Sequence, residues 1–446
     1  MKRWGIRDAL LAAAALAGTV VVGGARAAYV LTGYKAKMLC SEVLVGDRSV
    51  EAVRADLEVD DLWALRFLPA SFDTASQTAT AGLPFGWRPR RARFHPGAGC
   101  TLQFDDRPAP APTAGARRPE AASDSSGSAD ANLLPIVNAA FLELDPARPR
   151  RTRAVVILRG GRIVAERYAG GFTAQTPFAG WSMTKSVLNA LVGILIGQGR
   201  LSLAAPADVP QWRAADDPRR RITLDHLLRM SSGLDFDERI SIPRADVMSM
   251  LFASPDMMAF AARSPLRAEP GSRWQYASGS SLIVSGILRR ALGDDEYRRF
   301  PGSALFDRIG MGSAVLEADA RGTFVASSYM YATAREWGRF GTLYLQDGVW
   351  GGARVLPEGW VEYTRTPAPA DRDRAYGAHF WLTLPDLYNP RRTSLPPDAL
   401  HAAGHEGQFV SIVPSRDVVV VRLGKTRGAA AWDQGRFVAD VLNAMR

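Results

Sequence analysis

Three short segments, far apart in the chain, carry side chains suited to acyl chemistry. The first is Ser182-Met183-Thr184-Lys185. Residues three apart share one face of a helix, so the hydroxyl and the amine can meet. Val187, Leu188, Leu191, Val192, Ile194, Leu195 and Ile196 follow, and predict a helix over 182–196 that is apolar nearly all round and therefore buried. A lysine at the mouth of such a helix is desolvated, which lowers its pKa and lets it accept a proton. A serine hydroxyl is a weak nucleophile without such a base beside it. N–H groups at the helix N-terminus favour developing negative charge. Lysine is scarce here: of 55 basic residues only Lys2, Lys35, Lys37, Lys185 and Lys425 are lysine.

The second segment is Tyr276-Ala277-Ser278, after the turn Glu269-Pro270-Gly271-Ser272. A phenol near a cation acts as a general base or a proton relay; alone, the segment equally suits a packed tyrosine and a helix-capping serine. The third is Gly404-His405-Glu406-Gly407-Gln408, at the head of an expected strand 409–413. His405 is suited to donating to a substrate or relaying a proton, and Gly407 to letting a substrate approach the backbone. The N–H groups of Gln408 and Ser182 would form an oxyanion hole. Trp181, Trp274 and Trp381 are candidates to line an apolar cleft. No His, Cys and carboxylate spacing suits a metal, and no cofactor is implied. Residues 180–184 fail the G-x-S-x-G pattern at Thr184, which argues against an α/β-hydrolase.

The elements that must position these residues follow from pattern. Strands are expected over 154–158 and 163–168 around Gly160-Gly161, and over 409–413 and 418–423 around Pro414-Ser415. Helices are expected over 133–144, 222–229, 280–292, 334–345 and 433–445. Strands at both ends with helices between them predict an α+β fold. One antiparallel sheet would be built from both ends and flanked by helices, with an all-helical insertion at about 183–330.

In order, Ser-x-x-Lys, Tyr-x-Ser and His-x-Gly resemble the active-site motifs of serine β-lactamase-like hydrolases. Over about 150–446 the chain resembles the superfamily of class C β-lactamases, DD-peptidases and β-lactamase-fold esterases, with its strongest likeness to the 6-aminohexanoate-dimer (nylon-oligomer) hydrolase branch. Supporting stretches are 180–186, 223–234, 270–276 and 404–424. The resemblance implies a β-lactamase/transpeptidase-like fold, with Ser182 as the acylated nucleophile and Lys185 with Tyr276 as its base pair. His405 then replaces the lysine of a Lys-Thr-Gly motif, and Ser278 the asparagine of Tyr-x-Asn. Lys425-Thr426-Arg427-Gly428 imitates Lys-Thr-Gly, but its position makes Lys425 an expected exposed strand-end residue. Both departures argue against β-lactams as substrates. If Glu406 faces the cleft it would repel an anion, which favours an ester, amide or peptide-like substrate with a cationic end. The rival readings are a β-lactamase or DD-peptidase, and a non-catalytic envelope binding or sensor protein of the same fold.

The 446 residues are 47% hydrophobic and 22% charged, ordinary for a globular protein. The net charge of +10 suggests a nucleic-acid partner, but half of it lies in residues 1–37 and the rest is diffuse arginine without interleaved aromatics, so none is expected. Lys2, Arg3 and Arg7 precede the apolar stretch 9–24 and the small-x-small site Ala25-Arg26-Ala27. Residues 1–27 therefore read as a signal peptide or a retained membrane anchor, with export to the periplasm or cell envelope. A small mixed region is expected over 28–105 and a disordered linker over 106–131, rich in Pro, Ala, Ser and Asp. The hydrolase domain would span 132–446. Cys40 and Cys100, the only two cysteines, are expected to form a disulfide in an oxidising compartment.

Overall fold

The computed structural model describes residues 6–59, 62–86, 88–104, 130–426 and 431–445, with side chains from residue 24. Most of the expected linker, and Lys2 and Arg3, lie outside the described residues. The first helix, α1 (Ile6–Leu44), runs unbroken through Ala25-Arg26-Ala27, and its residues 30–41 are buried. The apolar segment and the folded N-terminal region thus share one helix. No helix among the described residues is long and apolar enough to cross a membrane.

A short helix α2 (Val50–Glu58) follows, its first turn capped by the Ser49 hydroxyl, which accepts from the Ala52 N–H at 3.2 Å. Four strands, β1 (Ala70–Asp73), β2 (Thr78–Ala81), β3 (Arg90–His95) and β4 (Gly99–Leu102), form an antiparallel meander. Ala79, Ala81, Ala92 and Cys100 turn inward and α1 lies on that face. Cys40 of α1 and Cys100 of β4 are joined by a disulfide across 60 residues of chain. Closing a loop of that length stabilises by about 4 kcal/mol in the chain-entropy model. Replacing both cysteines by serine is therefore expected to lower the urea midpoint; an unchanged midpoint would show that the cross-link does not hold this region.

After the undescribed residues 105–129, the Asp130 N–H donates to the Val164 carbonyl at 3.0 Å. Helix α3 (Leu134–Ala139) precedes β5 (Thr152–Arg159) and β6 (Arg162–Tyr168), a hairpin turned by Gly160 and Gly161, both at positive φ. Then come β7 (Pro177–Ala179), α4 (Thr184–Gly197), α5 (Leu224–Leu228), α6 (Asp246–Ala253), α7 (Met257–Ala262), α8 (Ser278–Leu292) and α9 (Asp294–Phe300). The chain continues through β8 (Val315–Leu316), β9 (Met330–Thr333), α10 (Ala334–Leu345), β10 (Val349–Trp350), β11 (Ala353–Arg354) and α11 (Trp360–Arg365). It closes with β12 (Leu400–Gly404), β13 (Gln408–Val413), β14 (Val418–Gly424) and α12 (Gln434–Ala444).

The main sheet has the order β12-β13-β14-β5-β6, every pair antiparallel, so both ends of the chain from Asp130 onward build one sheet around a mainly helical middle. Strands β12, β13 and β14 and most of β5 are buried on both faces, while the edge strand β6 is buried on one. Val419 and Val421 join the core shared with α10, and Val418 and Val420 the core shared with α12 and α3. A Cβ at Gly341 of α10 would press on the side chains of Val419 and Val410, so glycine lets this helix settle close to the sheet. The sequence pattern did not show β12 or the small sheet β7-β9-β8. These segments are too short for periodicity to separate them from loop.

Candidate active site

The nucleophile's turn is fixed from several sides. Strand β7 leads to Gly180, whose N–H donates to the Met330 carbonyl of β9 at 2.8 Å. A Cβ at Gly180 would collide with the Trp337 ring. Trp181 follows at φ 47°, a left-handed conformation that is costly for a bulky residue and typical of functional turns. Its indole is held in place by the Tyr34 ring at 6.4 Å, by the His405 ring edge-on at 5.3 Å, and by an Nε1–H bond to Glu406 at 3.2 Å. A single 3-10 turn, Trp181–Met183, then carries Ser182 into α4. Lys185 lies in the first turn of α4 and is 1% exposed.

The Lys185 Nζ donates to Ser182 Oγ, Ser278 Oγ and the Ser327 carbonyl, each at 3.0 Å. These three partners use every proton of an ammonium. Burial lowers its pKa to about 8, while the nearby Glu238 carboxylate pulls the other way. In the neutral amine one partner must face a lone pair instead. The Ser327 carbonyl only accepts, so Nζ must donate to it. The Ser278 hydroxyl donates to Glu238, whose other oxygen takes the Ser278 N–H at 2.8 Å, so Nζ must donate to Ser278 as well. The remaining position faces Ser182. Glu238 thereby orients the lone pair of the lysine toward the nucleophile. Burial raises the pKa of Glu238 itself, and Lys185 opposes that rise.

Tyr276 stands on the other side. Its ring centroid is 4.9 Å from Lys185 Nζ, and burial, with Tyr376 and Glu238 nearby, holds its phenol well above the usual pKa. The phenol therefore stays protonated and can pass a proton but not act as a resident phenolate. The ring stacks on Trp381 at 5.6 Å and meets Tyr376 edge-on, while Trp274 contacts both Tyr376 and Trp381. Trp274 and Trp381 thus belong to one aromatic wall with Tyr276 and Tyr376, while Trp181 packs separately on Tyr34 and His405. Among the described residues no cluster of His, Cys, Asp or Glu could hold a metal ion.

The family described as Beta-lactamase matches residues 139–442. The chain belongs to the Beta-lactamase family. It is 27% identical over 291 residues to 6-aminohexanoate-dimer hydrolase of Paenarthrobacter ureafaciens, covering 61% of this chain and 72% of that one. EstCE1, a hydrolase with promiscuous acyltransferase activity, superposes with a TM-score of 0.56 at 17% identity, over 70% of this chain and 97% of its own. A penicillin binding protein from Bacillus halodurans does so with 0.52 at 16%, over 69% and 98%. The last two similarities show the fold. Members of the Beta-lactamase family include esterases, an amide hydrolase and penicillin-binding proteins, and a serine mechanism is general among them.

Within this Beta-lactamase framework the third segment is built differently from its sequence reading. Glu406 does not point a free charge at a substrate: it is ion-paired with Lys425 and bonded to Trp181. Lys425 is correspondingly 7% exposed and not the solvated strand end expected of it. Nor does Gly407 leave room for a substrate, because a Cβ there would run into the Arg422 guanidinium and Thr426. Gln408 spends its side chain across the sheet, donating to the Gly424 carbonyl at 2.6 Å and accepting from its N–H at 3.1 Å. His405 contacts the Trp181 ring and is not hydrogen-bonded to Ser182, Lys185 or Tyr276. Ser278 is 1% exposed and serves Lys185 and Glu238. Glu238 escaped the sequence reading because it belongs to none of the three segments. Replacing Glu406 by Ala is expected to destabilise the protein by about 3 kcal/mol, the usual cost of stranding one partner of a buried pair. A thermal melt unchanged from wild type would show that the pair contributes nothing.

Proposed function

We propose that the protein is an exported serine hydrolase that cleaves an ester or amide bond through an acyl-enzyme on Ser182. The observation that carries this reading is the buried Lys185 amine, 3.0 Å from Ser182 Oγ, with its other two positions occupied by Ser278 and Ser327. The Ser182 oxygen attacks the acyl carbonyl while its proton passes to Lys185. The tetrahedral oxyanion is received by the Ser182 N–H and, in our assignment, by the His405 N–H in place of the Gln408 N–H expected from sequence, since Gln408 is paired with Gly404 in the β12–β13 ladder. Two contacts support His405: a Cβ on Gly404 would collide with the Gly180 carbonyl, and the His405 ring lies on Trp181. Lys185, relayed by the protonated Tyr276, then returns the proton to the departing alcohol or amine. Water enters by the same route to release the acid and regenerate the serine. The basic and apolar N-terminal segment supports export, and the Cys40–Cys100 disulfide fits an oxidising compartment.

With Glu406 neutralised by Lys425, the ground for a substrate with a cationic end is gone, and an uncharged ester or amide suits the aromatic wall. Incubation with a fluorophosphonate probe tests the reading directly. A stable adduct on the peptide carrying Ser182 is expected; properly folded protein that stays unlabelled would point to a binding module instead. Among substrates, p-nitrophenyl esters are expected to turn over faster than nitrocefin, and equal rates would overturn the ester and amide preference.

A further inference from the structure

Helix α1 reaches the candidate active site twice, along one stripe. Tyr34, Lys37 and Ser41 are three and then four residues apart, which puts them on a single helix face. All three are buried. The Tyr34 ring stacks on Trp181, the residue before the nucleophile, with an interplanar angle of 19°. Lys37 is ion-paired with Glu317 and donates to Ser41 Oγ at 2.7 Å; Ser41 donates to Glu317 at 3.0 Å. The Cys100 N–H donates to the same carboxylate at 2.6 Å, so helix, disulfide and β4 converge on one fully buried acid.

Glu317 follows β8 directly. Its N–H donates to the Tyr329 carbonyl at 2.8 Å and its own carbonyl accepts from the Val325 N–H at 2.9 Å, which ties both ends of the intervening loop to it. Ser327 lies in that loop and presents its carbonyl to Lys185. Of the contacts α1 makes, Tyr34 thus touches the residue before the serine, and the Lys37–Glu317 pair anchors the loop whose Ser327 carbonyl meets Lys185.

We infer that α1 is a positioning element of the catalytic site. The Lys37–Glu317 pair, with Ser41, sets the Ser327 carbonyl against Lys185, and Tyr34 sets the Trp181 turn that presents Ser182. This rests on the acyl-enzyme reading of Ser182, so the test separates the two. Full-length wild type, Lys37→Met, Lys37→Arg and Ser41→Ala are compared by the rate of fluorophosphonate labelling from neutral to alkaline pH, with folding checked by circular dichroism. Lys37→Met is expected to label about ten-fold more slowly. Its pH midpoint is expected to rise by about half a unit or more as water reaches Lys185. Lys37→Arg should recover most of the rate and restore the midpoint, and Ser41→Ala should fall between. A folded Lys37→Met with wild-type rate and midpoint overturns the inference. If Lys37→Met does not fold, Ser41→Ala decides in the same way. A wild type that is never labelled sinks the acyl-enzyme reading instead.

Discussion

Replacing Ser182 by Ala is expected to reduce acyl turnover by a factor of about 10⁴ to 10⁶ and to abolish fluorophosphonate labelling. The size of this loss follows from what surrounds the serine. A substitute nucleophile would need a hydroxyl with a free path to the acyl carbonyl and a base beside it. Thr184 is buried and bonded to the Trp181 carbonyl at 2.7 Å. Ser186 is buried and committed to the His379 carbonyl, to which it donates at 2.8 Å. Ser278 does meet Lys185, but its proton is committed to Glu238. Stability should move little, by less than about 1 kcal/mol, since only a small hydroxyl is lost. The measurements are kcat/KM on a p-nitrophenyl ester and the thermal midpoint. More than about one percent residual activity in a folded variant would mean that another nucleophile carries the reaction.

What could be read from the sequence, and what could not, divides by range. Ser182 and Lys185 are three apart, Ser182 in the 3-10 turn that leads into α4 and Lys185 in its first turn, and this local spacing brings them together. The hairpins were legible from turn residues and apolar runs, and the both-ends-in-one-sheet arrangement from their order. Glu238 could not be placed because its partner Ser278 lies 40 residues away across a loop with no repeat or period. Lys37 and Glu317, 280 residues apart, are beyond any local pattern. The Glu406–Lys425 pair is a different case, because a local signal existed. Phe409 pairs with Arg422 in the β13–β14 ladder. Three residues before the one therefore stand opposite three residues after the other, which is Glu406 facing Lys425. Continuing the hairpin register past its strand ends would have found the pair. Lysine scarcity also carried more than one message. All four lysines with described side chains are engaged: Lys35 on the Leu65 and Leu68 carbonyls, Lys37 on Glu317, Lys425 on Glu406, and Lys185 at the nucleophile. In an arginine-rich chain, lysine appears where a compact ammonium with three donors must fit inside.

Replacing Lys185 by Met should lower acylation by about 10² to 10⁴, the usual contribution of a positioned general base. Methionine keeps the volume of the site and removes only the amine. The wild-type pH profile supplies the more discriminating test. Serine can give its proton only to the neutral amine, and burial lowers the Lys185 pKa to about 8. Acylation should therefore be slow in neutral solution and rise as pH passes through about 8, where the ammonium loses its proton. Glu238 sets the sense of a second shift. Its charge favours the ammonium and so raises the Lys185 pKa. Glu238→Gln removes that charge, and the midpoint should move to lower pH. The maximal rate should nevertheless fall, because glutamine no longer compels the Ser278 hydroxyl to donate toward it, and the lysine lone pair is no longer directed to Ser182 alone. A lower midpoint with a lower plateau is a combination that simple loss of packing does not produce. Single-turnover acylation by a p-nitrophenyl ester across pH measures both quantities. A midpoint unchanged in Glu238→Gln would show that this carboxylate does not tune the base, and a flat wild-type profile would remove Lys185 from that role.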